Sequence, residues 1–134
     1  AARVLDLRGL LVTPGLVDLH THVFSGSEAN HYLAGTTLAA SADEAAPRSC
    51  TTTVVDAGSA GHRSFPAFAR VIARSRTRIL AFLNIVGEGM RGGRYEQDLA
   101  DMSADDTAAA LLARPDLLVG IKVAHYAGPG WEPI

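Results

Sequence analysis

Four short runs rich in β-branched and apolar residues recur along the chain, each separated from the next by a segment long enough to hold a helix. They are Leu16 to Val23, Thr51 to Asp56, Arg78 to Val86 and Leu117 to Ala124. Near-continuous apolar strands are buried on both faces, and strands that alternate with crossover helices pair in parallel. The expected class is therefore α/β, built from βαβ units. A doubly wound sheet and a (β/α)8 barrel both begin this way. A complete barrel takes roughly 250 residues, so the 134 residues present would hold about its first four strands.

The segments between the runs carry turn and cap chemistry. Gly9 to Val12 is a short strand-like piece, and Thr13-Pro14-Gly15 sets a boundary after it. The alanine-rich stretch from Ala34 to Ala46 lacks a clean period and reads as helix or loop. Ala57 to Gly61 reads as a loop closing the second strand. Beyond it, Ser64 can cap a helix whose Phe65, Phe68, Ala69 and Ile72 fall at i, i+3, i+4 and i+7, the spacing of a core-facing stripe. Gly87 to Arg94 is a glycine-rich loop. Ser103, with Asp106 three residues later, opens a short helix that Pro115 stops.

Charge and cysteine content exclude several classes of partner. Twelve basic and 14 acidic residues are scattered to a formal net charge of -2, which leaves no basic stripe for a phosphate backbone or an anionic membrane. No nucleic acid and no membrane is expected as a partner. The single Cys50 has no partner for an internal disulfide, residues 1 to 30 show no signal-like segment, and a cytoplasmic setting fits.

Two features can carry chemistry. His20-Thr21-His22 lies near the carboxyl end of the first strand, where side chains two apart share a face and can grip one metal ion. Two ordinary loop histidines are the plainer alternative. Lys122 lies within the fourth strand on a face with the small residues Gly120 and Ala124. An ammonium is seldom buried without a partner, and burial favours the neutral amine. A neutral amine can add carbon dioxide to give a carbamate that bridges two divalent metals; the alternative is an ammonium that snorkels outward or pairs with Asp56.

Pro14-Gly15-Leu16-Val17-Asp18-Leu19-His20-Thr21-His22 resembles the signature that opens the metal-binding barrel of the amidohydrolase superfamily. Thr52 to Gly61, Thr77 to Ile85 and Val119 to Val123 are similar to a narrower group, the dihydroorotase-like amidohydrolases that include deacetylases. The resemblance covers nearly the whole chain. It implies a partial TIM barrel of the metal-dependent hydrolase type over residues 13–134, with residues 1–12 as the end of a small β-rich flanking domain. It further implies that His20 and His22 bind the more buried of two divalent ions, zinc being the expected metal. Lys122, carboxylated, would bridge both.

The implied reaction is hydrolysis of an amide, cyclic amide or acyl ester by a metal-bridging hydroxide, with deacetylation preferred and a small acylated or cyclic amide molecule as substrate. In the family, two later histidines and a late aspartate complete the site, and the chain stops at Ile134 before residues that could supply them. Dihydroorotases proper carry an arginine where this chain has Phe24, which argues against that activity. Cys50 stands where a glycine is expected, a departure of small structural consequence.

Other candidates are His31, His62 and His125 in or near loops, with Arg91, Arg94 and Asn84 as residues that can orient a polar substrate. Gly87 to Gly92 satisfies G-x-G-x-x-G formally, yet follows the third strand and lacks the later acid a dinucleotide fold requires. A rival to catalysis is a truncated paralogue acting in binding or assembly. Half a barrel exposes strand edges and apolar faces, so association with a partner chain, a homo-oligomer included, is expected.

Overall fold

The computed structural model describes residues 2–26, 39–131 and 133–134. Strands β1 (Leu16–Thr21), β2 (Thr51–Gly61), β3 (Arg78–Asn84) and β4 (Leu118–Lys122) form one sheet in the order β1-β2-β3-β4, with every neighbouring pair parallel. Sequential order without a reversal is the order of a barrel; a doubly wound sheet turns back at its switch point. The helices among the described residues are α1 (Ala42–Ala45), α2 (Phe65–Ile72) and α3 (Ala104–Ala113), with 3-10 turns at Ala46–Ser49, Gly93–Gln97 and Leu99–Asp101. The fold is thus α/β, three consecutive β/α units and a fourth parallel strand, of TIM-barrel type. No helix among the described residues is long and apolar enough to cross a membrane.

The core lies between one face of the sheet and the helices. Val54, Ile79, Ala81, Leu83 and Leu118 meet Phe24, Ala42, Ala46, Phe65 and Phe68 there. Phe68 is fully buried, stacked on Phe24 at 4.9 Å and edge-on to Phe65 at 6.3 Å. The aromatic stripe of α2 is therefore core, as its spacing indicates. Phe68→Ala is expected to cost about 3–5 kcal/mol, read as a lower denaturant midpoint with the slope unchanged. On the outer strands, Leu16, Val17, Leu19, Val119 and Ile121 stay exposed.

Three local readings change. β2 runs through to Gly61, absorbing the predicted loop: Gly61 is in register with Asn84, whose amide donates to the Gly58 carbonyl at 2.9 Å. A register shift between Ala57 and Gly61, with Gly58 at φ +83, is the bulge that the glycine-rich sequence signalled as a turn. Ser64 precedes α2 but makes no side-chain cap; its hydroxyl instead donates to the Glu88 carbonyl at 2.7 Å and accepts from the Gly61 N–H at 3.1 Å. Ser103 does cap α3, accepting from the Asp106 N–H at 3.2 Å. Gly9 to Val12 forms no strand, because residues 2–15 pair with no other extended segment among the described residues.

Cys50 holds a left-handed conformation, φ 57, as it closes the 3-10 turn ahead of β2. That is the conformation a glycine adopts at least cost, which gives the expected glycine its physical reason. Asp43, in the first turn of α1, ties this segment to the start of β3. Its Oδ1 accepts from the Ser75 hydroxyl at 2.6 Å, the Thr77 N–H at 2.8 Å and the Arg76 N–H at 3.0 Å. These donors, the Ser75 hydroxyl foremost, hold the carboxyl well below the usual carboxylate range. A carboxyl whose folded pKa is depressed stabilises the fold above its unfolded pKa and loses that contribution as pH falls. Wild type is therefore expected to exceed Asp43→Asn in Tm at pH 7, with the gap closing below about pH 4 in a thermal unfolding series.

Candidate functional site

The parallel sheet sends its carboxyl ends to one side. β1 ends at Thr21 with His20 in the strand and His22 just beyond it, and β4 ends at Lys122 in register with Asn84, the last residue of β3. The residues singled out from the sequence thus share the end of the sheet where barrel enzymes place their chemistry.

The His20 and His22 rings meet edge to face, with centroids 5.6 Å apart. Nδ1 of His22 hydrogen-bonds the buried Ser59 hydroxyl at 2.9 Å, so Nε2 is the nitrogen left for a ligand. Burial pushes the His22 imidazole toward its neutral form; Asp56 opposes this, and His20, Lys122 and His125 reinforce it. A neutral imidazole is the form that binds metal.

Asp56 organises the base of the site. It is fully buried, and its oxygens accept from the Val23 N–H at 2.8 Å and the Ser59 N–H at 2.7 Å. Burial raises its pKa, while the Val23 and Ser59 donors pull the other way. It clamps the chain leaving β1 onto the bulge of β2, so the His22 backbone and its Ser59 partner are held by one carboxylate. Among the described residues Asp56 forms no ion pair with Lys122, so the pairing weighed from the sequence is not made.

Lys122 ends its strand instead of lying mid-strand, because β4 stops before Val123. Its side chain passes over Gly58: a Cβ built there would lie 2.7 Å from both Cβ and Cγ of Lys122. The missing side chain at position 58 is what gives the lysine room.

Two neighbouring histidines, one of them held through Nδ1 with Nε2 left for a ligand, and a lysine at the same end of the sheet fit a divalent metal as a partial donor set. Among the described residues, no group of three or more His, Cys, Asp or Glu side chains is placed to hold an ion. Ser59 and Gly58 escaped the sequence reading because both lie in the stretch that reads as a loop.

The remaining candidates separate. Asn84 is buried and spends its amide on the Gly58 carbonyl and the Val86 N–H, so it braces the strand ends and does not orient substrate. Arg91 and Arg94 stack on Tyr95 at 4.0 and 5.1 Å. His62 is mostly buried, 4.0 Å from the Asp106 carboxylate. His31 lies outside the described residues. Phe24 is buried against Phe68, away from any substrate role. The Gly87 to Gly92 run opens a 3-10 turn and no α-helix, so it lacks the helix N-terminus that receives a pyrophosphate. His125 pairs with Glu96, a buried carboxylate that nothing in the sequence singles out.

No family model matches the chain. A deacetylase of Agrobacterium fabrum is 33% identical over 95% of the chain, and a deacetylase of Brucella anthropi is 34% identical over 94%. Among solved structures, a dihydroorotase matches with a TM-score of 0.74 at 32% identity over 90% of the chain. An adenine deaminase matches with a TM-score of 0.68 at 26% identity over 80%. The chain resembles the amidohydrolase superfamily along nearly its whole length. It spans 31% of the length of each of the two deacetylases, 32% of the dihydroorotase chain and 27% of the deaminase chain.

Proposed function

We propose that this amidohydrolase-like chain supplies the first metal ligands of a binuclear hydrolase that cleaves an amide, cyclic amide or acyl ester, with a deacetylase as the preferred activity. The observation that carries the reading is the placement of His20, His22 and Lys122 at one end of the parallel sheet, with His22 oriented through Ser59. Similarity to deacetylases supports the choice of an acyl substrate.

In this reading His20 and His22 would hold a divalent metal, expected to be zinc, and Lys122 would serve both metals. The Lys122 amine would add carbon dioxide and lose a proton, becoming a carbamate whose single negative charge is shared by two oxygens. Bound metal would supply Lewis-acid polarisation of the acyl carbonyl and a water of lowered pKa. The chain's own residues do the rest of what is visible here. Ser59 fixes which nitrogen of His22 faces the metal, Asp56 locks the β1 end to the β2 bulge, and Gly58 leaves the lysine its path. The substrate is a small acylated molecule, the setting cytoplasmic, and a homo-oligomer is part of the same reading, motivated by the exposed apolar residues of β1 and β4.

The experiment is an assay of the full-length protein on N-acetyl and O-acetyl compounds before and after chelation, followed by zinc addition. Hydrolysis that chelation abolishes and zinc restores is expected. Hydrolysis indifferent to chelation overturns the metal, and a protein that binds partners without any turnover supports the rival binding or assembly role.

A further inference from the structure

Glu96 is fully buried in the 3-10 turn between β3 and α3, and nothing in the metal-site reading uses it. A buried carboxylate is costly unless donors satisfy its oxygens. Oε1 accepts from the Gly92 N–H at 2.9 Å, and Oε2 takes Nδ1 of His125, which lies in the segment after β4. A carboxylate accepts, so Nδ1–H donates; an imidazole that is neutral and held this way presents Nε2 as an acceptor.

The backbone of His125 is held as firmly as its ring. It adopts φ 60, a left-handed conformation that costs a residue other than glycine roughly 1–2 kcal/mol. Gln97 braces it from both sides, its amide donating to the His125 carbonyl at 2.6 Å and its Oε1 accepting from the Ala127 N–H at 2.9 Å. Consecutive residues of one turn thus fix the side chain and the main chain of His125.

The carboxylate is buried, while the imidazole side chain is 61% exposed. His125 lines a concavity of about 200 Å³ with Tyr126 and Trp131, and it lies near enough to His22 to act on it electrostatically. Strain and exposure combined at one side chain beside a candidate site mark a functional position.

We infer that His125 is a substrate-contacting residue whose Nε2 accepts a hydrogen bond from a substrate N–H, with Glu96 as the residue that positions the ring. This rests on the proposed hydrolase reading and adds to it a preference for amides over esters. Two variants separate the imidazole from the backbone conformation. His125→Gly removes the ring and relieves the left-handed strain; Glu96→Gln keeps the ring and alters its support.

The test compares kcat/KM of the full-length wild type and both variants on N-acetylalanine and on O-acetyl-lactate, the matched ester without an N–H, with Tm recorded for each. Both variants are expected to lose about tenfold on the amide and little on the ester, with the Tm of His125→Gly preserved. Equal losses on the two substrates, or unchanged kinetics in a folded His125→Gly, overturn the contact. Titration of N-acetylalanine against wild type, followed by the His125 ring resonances, reads the same contact without turnover. A shift there supports the contact even if the hydrolase reading fails; no shift overturns it.

Discussion

Replacing Lys122 with alanine in the full-length protein is expected to lower kcat/KM by about a thousandfold, equivalent to roughly 4 kcal/mol of transition-state stabilisation. The effect should be this large because, in the proposed site, one carbamate side chain would serve two metals. Metal content should fall in the same variant. The fold should persist, since Lys122 is only partly buried at the last residue of β4 and forms no part of the apolar core. Acetate offers a carboxylate small enough for the space that alanine leaves, so added acetate should restore part of the activity and the metal. A variant that keeps full activity and metal would show that Lys122 is an ordinary ammonium at a strand end.

Gly58→Ala is expected to damage the fold and the site together. The residue sits at φ +83, and the added carbon would lie 2.7 Å from Cβ and Cγ of Lys122. A left-handed alanine costs roughly 1–2 kcal/mol and overpacking a further 1–3 kcal/mol, so a loss of about 2–5 kcal/mol should appear in the denaturant midpoint. Gly93→Ala is the matched control, because its φ is +53 but nothing lies within 4 Å of the added carbon. The control should show the conformational cost alone and keep its metal. Gly58→Ala should lose metal as well, because the lysine can no longer lie over the bulge.

Much of this was legible in the sequence, for identifiable reasons. The four strands announce themselves because parallel strands covered by helices are apolar almost throughout, and α2 because its aromatic spacing is helical. Ser103 was a legible cap since its partner, the Asp106 N–H, is local. Ser64 was not, because its hydroxyl is claimed by Glu88 and Gly61, a competition only the tertiary fold creates.

The same distinction runs through the site. His20 and His22 stand out by spacing, and Lys122 by its position in an apolar run. Ser59, Gly58 and Glu96 do not, because each acts on a residue between 29 and 64 positions away, across the sheet or between loops. Asp56 was noticed as a possible partner for Lys122, yet its carboxylate is consumed by the backbone of Val23 and Ser59. A single sequence carries no signal for such contacts, since a buried acid and a solvated one are spelled alike.

The most direct test of the metal centre is an anomalous diffraction map at the zinc edge from crystals of the full-length protein grown with zinc and bicarbonate. Two peaks are expected, one within bonding distance of His20 and His22 Nε2, with a carboxylated Lys122 between them. Peaks elsewhere, or zinc absent from these three side chains, would contradict the assignment of His20, His22 and Lys122 as metal ligands.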